Sequence, residues 1–330
     1  MRTDTKDRPI KARLSRCTLN SIFALLCTVS IQSTVSIQSA WARPILINST
    51  PTESTYKAPH SSLKQSYFRG WDYLVTKLRE DGVSETQIKQ VYQDKRMPKH
   101  SFIPFAVRPR ETHAMYAHFN SAEKILRAEE FLNRHRNLFE EAESRFSVSR
   151  YIIGAIFLVE TQLGRVTGKQ LIVNRLSRLG AIDEPKNVHL NYLRLKKDDS
   201  TVSFDAVQDR ARYLEDTFYP EITALLELAR QQKLDVLSLQ GSIAGAFGIP
   251  QFLPSSALRF GVDANQDGVV SLFHEADAIW STANYLANSG WRDSLSHEER
   301  RSVIWKYNHS DAYVDTVLKL AKELGLTNAS

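Results

Sequence analysis

One acid is set apart by its surroundings. Across residues 151–159 every side chain except that of Gly154 is apolar, and Glu160 closes the run four residues ahead of Gly164. A helix apolar on nearly all sides belongs inside a globular domain. It offers a charge no solvent face, so Glu160 must find a partner, face a cavity, or keep its proton, because burying a lone carboxylate is expensive. A carboxyl that holds its proton at the end of a buried helix has what a general acid needs. The plainer alternative is a Glu on the last exposed turn of that helix.

A second group of oxygens lies further on. Asp263, Asn265 and Asp267 stand at alternate positions, Gly268 follows, and Val269 can add its backbone carbonyl. This is the opening of an EF-hand calcium loop, in which glycine permits the turn that aims the oxygens inward. His274 stands where the bidentate Glu should close the loop. Glu275 and Asp277 lie just beyond, and Asp277 can also open the next helix. The expected role is structural, a Ca²⁺ that pins a loop; the alternative is a solvated Asp/Asn/Gly turn.

Two further stretches carry side chains suited to a ligand. Residues 241–256 repeat small residues that allow close backbone approach, and Ser242 and Gln251 supply hydrogen-bonding groups. A Gly-rich connector between helices reads equally well. Trp305, Tyr307, Asn308 and Tyr313 place aromatic rings beside an amide, a combination that suits a sugar, apolar on its CH faces and polar at its rim. Core aromatics beside a helix cap are the alternative. The chain has no HExxH, GxSxG, Walker or GxGxxG motif, so zinc peptidase, serine-elbow hydrolase and nucleotide enzyme lose support. A carboxylate-driven reaction survives.

The compartment follows from the first residues. Within residues 1–16 there are six basic and two acidic side chains; residues 19–41 carry no charge and end at Ala40-Trp41-Ala42, a small-x-small cleavage pattern. That layout is a secretory signal peptide over 1–42, with a Ser/Thr/Pro-rich flexible lead-in over 43–66. A retained anchor is the alternative, but the strongly apolar part, 22–31, falls short of the ~20 residues a span needs. Both cysteines, Cys17 and Cys27, lie in the leader, which leaves the remainder without thiol or disulfide chemistry. Without the leader the formal charge of +6 falls to +2, so the basic balance is no argument for nucleic acid. An exported, cysteine-free enzyme with 42% hydrophobic residues meets extracytoplasmic polymers: cell wall, polysaccharide or protein.

The elements that must position these residues read as helices. Amphipathic spacing predicts helices over 68–79 and 122–146, and Ser84 with Gln87 forms a capping box that opens a helix to about Asp94. Three prolines make 97–109 irregular. Residues 180–212 give no assignment beyond a loop at 198–200. Pro220 stands at a favoured first helical position for a helix continuing to Lys233. Short or capped helices follow over 254–260, 277–288 and 310–324, with a second capping box at Ser296 and Glu299. Strand signals are sparse, so the class is mainly α, and one catalytic unit spans 67–330.

These blocks, in this order, resemble the lytic murein transglycosylase B family, the soluble-lytic-transglycosylase type with an embedded calcium loop. The resemblance is carried by Val159-Glu160-Thr161 through Gly164-Arg165-Val166 and Gly168-Lys169, by 241–256, by Asp263 to Gly268, by Ala283-Asn284-Tyr285 to Gly290-Trp291, and by Tyr307-Asn308 with Tyr313. It implies a goose-type lysozyme-like core over about 122–325, a helical part over 67–121, and a groove for peptidoglycan glycan strands. It also implies Glu160 as the single acid/base, with Ser242, Gln251 and Asn308 as polar groups around the carboxyl or the sugar. Tyr285, Tyr307, Tyr313 and Phe252 would be groove aromatics, and Asp263, Asn265, Asp267, the Val269 carbonyl and Asp277 calcium ligands. Implied partners are the glycan strands and cell-wall synthesis proteins, with no nucleic acid, no permanent membrane anchor, and a monomeric state. The chain departs from the family over 180–212, which leaves Tyr213 and Tyr219 without an assigned role, and its segment between Trp291 and Trp305 is shorter than in some members.

A lone acid suffices if the nucleophile comes from the substrate, whereas most glycosidases use two carboxylates. The implied chemistry is cleavage between N-acetylmuramic acid and N-acetylglucosamine with a 1,6-anhydromuramyl product. The rivals are a hydrolytic muramidase on the same fold, a non-catalytic wall-binding module, and a calcium-binding structural protein.

Overall fold

The computed structural model describes residues 67–109 and 111–327, so the leader and lead-in expected over 1–66 lie outside the described residues. The chain is mainly helical, as its periodicity indicates. The first helix, α1 (Asp72–Glu80), starts later than the spacing suggests, because Arg69 and Gly70 take positive φ in the turn ahead of it. In α2 (Glu85–Tyr92) the Ser84 hydroxyl accepts from the Gln87 N–H at 3.3 Å. Residues 97–109 are irregular as expected, and a short α3 (His113–Tyr116) follows.

The helix expected over 122–146 is two, α4 (Ala122–Arg134) and α5 (Arg136–Phe146), broken where His135 leaves helical geometry at ψ 24°. The break lets Phe131 and Phe139 sit edge to face at 6.2 Å while Phe131 also meets Phe157 of the next helix at 6.2 Å. That helix, α6 (Arg150–Thr161), carries the apolar run, and 152–159 are all buried. Gly154 is where α4 presses closest: a Cβ there would lie 3.0 Å from the Leu132 Cδ2.

After α7 (Ile172–Leu179), residues 180–212, unreadable in sequence, resolve into α8 (Pro185–Asp198) and the start of α9 (Phe204–Gln232). Buried Asn187 and Asn191 on α8 bond the backbone of Ile103 and so supply partners to the irregular segment. Pro220 does not open a helix. It lies inside α9, where both it and Asp216 are exposed, so the carbonyl that proline leaves unpaired can bond water. Two-residue strands β1 (Gln170–Leu171) and β2 (Gln240–Gly241) pair antiparallel, Gln170 opposite Gly241. The chain then forms α10 (Pro254–Phe260), α11 (Glu275–Asn288), α12 (His297–Tyr307) with its Ser296/Glu299 capping box, and α13 (Asp311–Leu324), capped by Ser310.

Packing gathers these helices around two main apolar clusters. One joins α4, α5 and α6 to α11, α12 and α13, with Tyr116 and Phe119. The other joins α1, α2, α7, α9 and α10 to residues 244–253. Tyr285 and Tyr307 pack against both. The seam between the clusters is therefore aromatic, and α6 ends beside it.

Candidate active site

Glu160 occupies the last turn of α6, and the chain reverses at once. Gln162, Leu163 and Gly164 all take positive φ, so the helix stops ahead of the glycine that marks its end in the sequence. Buried Thr161 fixes this reversal: its hydroxyl donates to the Ile249 carbonyl at 2.9 Å and accepts from the Gly164 N–H at 3.0 Å. One side chain thus ties the end of α6 to the segment that crosses the seam.

The Tyr313 hydroxyl donates to Glu160 Oε1 at 2.7 Å. Burial pushes the carboxyl up to about 8; the Tyr313 bond works against that shift, and the charge of Glu111 adds to it. The group therefore keeps its proton at neutral pH, the state a general acid requires. Tyr313 is fully buried on the first turn of α13, and burial, followed by the charge of Glu160, raises its phenol well above the ordinary range.

An aromatic group continues from Tyr313. Tyr307 stacks on it at 6.4 Å with planes 7° apart, and its hydroxyl donates to the Pro250 carbonyl. Tyr285 meets Tyr307 edge to face at 5.0 Å and donates to the Lys306 carbonyl at 2.8 Å. Phe252 lies 5.5 Å from Tyr285 and 6.1 Å from Tyr307. Of the four rings expected along a groove, Phe252 and Tyr313 are buried and brace the site from within. Tyr285 and Tyr307 keep part of their surface open.

The polar residues named from the sequence sit in turns around this group. The Ser242 hydroxyl accepts from the Ala246 N–H at 3.2 Å, which leaves its own proton to donate. Gln251, at φ 51°, spans two loops by donating to the carbonyls of Gly248 at 2.8 Å and Thr167 at 3.1 Å. Asn308 is buried at the end of α12, and its carbonyl accepts from the Ser310 N–H at 2.9 Å. Tyr213 is exposed on α9, and Tyr219 lies under the Lys77 ammonium at 4.5 Å, in the second cluster.

Two residues near Glu160 escape sequence reasoning: Glu111 and Tyr116. Tyr116 donates to Glu111 Oε2 at 2.8 Å. Glu111 follows the proline-rich irregular stretch, where no periodicity marks an acid as special; only the folded chain brings it toward Glu160.

In the 263–269 loop the oxygens serve the loop's own backbone. Asp263 accepts from the N–H groups of Asp267 and Gly268 at 3.2 and 2.8 Å, Asn265 from Asp267 at 3.1 Å, and Asp267 from Val269 at 2.9 Å. Asp277, fully buried, accepts from Ala264 at 2.9 Å and Ser271 at 2.7 Å. It holds both ends of the loop from beneath. The side chains at 263, partly buried, and at 265 and 267, exposed, all offer oxygens, the chemistry of a hard cation, although among the described residues no group of three or more His, Cys, Asp or Glu is arranged to hold a metal.

The sequence profile of the family described as "Transglycosylase SLT domain" matches residues 68–300. The chain belongs to that family. It is 35% identical over 161 residues to the membrane-bound lytic murein transglycosylase B of Escherichia coli (strain K12); the alignment takes in 49% of this chain and 37% of that protein, little more than a third of the relative's length. Among solved structures, the soluble lytic transglycosylase SltB1 of Pseudomonas aeruginosa superposes with a TM-score of 0.56 at 24% identity, over 78% of this chain and 98% of that one. The Escherichia coli lytic transglycosylase Slt35 in complex with calcium gives 0.54 at 23% identity, over 79% and 94%. The likeness establishes the lysozyme-like fold of the SLT domain family. No helix among the described residues is long and apolar enough to cross a membrane.

Proposed function

We propose that this chain is a lytic murein transglycosylase, cutting the β-1,4 bond between N-acetylmuramic acid and N-acetylglucosamine in peptidoglycan. One observation carries the reading: a desolvated carboxyl, Glu160, held by Tyr313 at 2.7 Å and raised to about 8, ends a buried helix at an aromatic seam. Family membership and the relative's name point to murein as the polymer.

In this reading Glu160 gives its proton to the glycosidic oxygen. The Tyr313 hydroxyl then stabilises the carboxylate that remains, since a hydrogen bond to the charged form favours it. That carboxylate takes the proton of the muramyl 6-hydroxyl as its oxygen attacks the anomeric carbon of the same sugar. The C–O bond to the leaving sugar breaks and a 1,6-anhydro bond forms, with no water consumed. Intramolecular attack is favoured entropically, so orienting one hydroxyl replaces a second acid. Tyr285 and Tyr307 offer ring surface to the sugar, and Ser242, Gln251 and Asn308 offer polar contacts at its rim.

Mass spectrometry of fragments released from purified sacculi tests this: anhydromuramyl ends support it, and reducing ends overturn it. Reducing ends would mark a hydrolase, a second reading favoured by the presence of Glu111 near Glu160, because two carboxylates are the usual glycosidase pair.

The rest of the assignment follows the same reading. The catalytic unit spans 67–330, a signal peptide over 1–42 directs export to the periplasm, and the released enzyme acts as a monomer beside cell-wall synthesis proteins. Calcium binds the 263–269 loop through Asp263, Asn265, Asp267, the Val269 carbonyl and Asp277, which also shapes the loop from below through the Ala264 and Ser271 N–H groups. The calcium complex of Slt35 supports a cation in this fold. Its role is to stiffen the loop, and the acid chemistry belongs to Glu160.

A further inference from the structure

Glu111 is partly buried in the irregular segment ahead of α3 and accepts a hydrogen bond from the Tyr116 hydroxyl at 2.8 Å. Tyr116 is 4% exposed, and its ring meets that of Tyr313 edge to face, centroids 6.1 Å apart at 80°. Ser310 accepts from the Tyr313 N–H at 3.4 Å and so caps α13, the helix that presents Tyr313 to Glu160, and its side chain lies toward the same Tyr116 hydroxyl. Tyr116 donates to Glu111, which fixes the phenol's orientation against Tyr313 and leaves its oxygen lone pairs toward Ser310.

Glu160 bonds Tyr313 of α13 and interacts electrostatically with Glu111 from the loop, Tyr116 from α3 and Tyr307 from α12. Among the described residues no Lys, Arg or His pairs with Glu160. We propose that Glu111 is a positioning residue of this site, which seats Tyr116 against Tyr313 and keeps a negative charge beside Glu160. A like charge nearby disfavours a second ionised carboxylate, so Glu160 holds its proton until the sugar oxygen takes it. The inference rests on Glu160 as the acid, yet its test also works without activity.

Glu111→Gln preserves an acceptor for Tyr116 and removes the charge. The Glu160 carboxyl is followed by carbon-13 NMR from pH 4 to 10 in the full chain, in the wild type, Glu111→Gln and Glu111→Asp, with Glu160→Gln as the assignment blank. The midpoint in Glu111→Gln is expected to fall by about half a unit, while Glu111→Asp, which keeps the charge, stays near the wild type. In parallel, the alkaline limb of sacculus lysis should move the same way, an approximately threefold loss on that side with the acid plateau retained. An unmoved midpoint in folded Glu111→Gln overturns the inference. Should that variant fail to fold, Tyr116→Phe, which unties the carboxylate, decides by the same midpoint: a fall supports the inference and an unmoved value overturns it. A moved midpoint in a wild type that lyses nothing supports the role of Glu111 and overturns the proposed activity instead.

Discussion

Replacing Glu160 by Gln should make the protein more stable in alkali while abolishing lysis. The native carboxyl titrates at about 8 against an ordinary 4.5. Between those values the folded chain holds a proton that the unfolded chain has released, so folding stability falls as pH rises through the window and the penalty is complete above pH 8. The full displacement corresponds to an upper bound of about 5 kcal/mol. Glu160 keeps part of its surface open, and relaxation toward water reduces this to ~2–4 kcal/mol. Glu160→Gln has no such dependence, and its amide oxygen can still accept from Tyr313. Urea unfolding of both proteins at pH 5 and pH 9 isolates the effect, because every other titrating group cancels between them. The variant's advantage should grow by that amount from pH 5 to pH 9. An advantage that does not change with pH would mean a solvated carboxyl, and the argument for an acid held protonated would fail.

Tyr313→Phe removes the bond that favours the charged form, so the alkaline limb of lysis should move to higher pH while the rate drops about tenfold or more, the scale of a hydrogen bond to a charged group; a pH–rate profile left in place would count against the pairing. Gly168→Ala would set a Cβ 2.1 Å from the Gly241 carbonyl at φ 93°, parting the β1–β2 ribbon. A melting temperature lower by about 3–4 °C is expected, for ~2 kcal/mol in a chain of this size, and an unchanged melt would refute the contact. Calorimetry with CaCl₂ should give heat that Asp263→Ala abolishes. Asp277→Ala should destabilise the loop with or without calcium by ~2–4 kcal/mol, since it strands the N–H groups of Ala264 and Ser271; equal stability in EDTA would refute its bracing role.

Much of the architecture was legible because it is local. The apolar run ahead of Glu160, the Ser296/Glu299 box and the Pro254 and Gly325 helix limits are written in adjacent residues, and each appears where the pattern puts it. What stayed hidden depends on long-range contact. His135 breaks a helix whose periodicity is unbroken, because Phe131 and Phe139 both have to reach the core. Pro220 reads as a helix start, yet tertiary packing carries α9 straight through it. The site divides the same way. Glu160 announces itself through its neighbours, whereas Glu111, from an irregular stretch, and Tyr116, from the one-turn α3, come to it across the fold with no periodic mark. Phe252 and Tyr313 read as ring surface for a sugar, but ring type says nothing of burial, and both lie inside.

The position of Tyr313 has a consequence for biosynthesis. The acid is translated first, while the hydroxyl that steadies it belongs to α13, roughly 150 residues later. Until that helix has emerged and docked, residue 160 waits without its donor. A nascent chain that stops short of α13 therefore carries the reactive group in an unfinished setting, and competence arrives only once that helix is made.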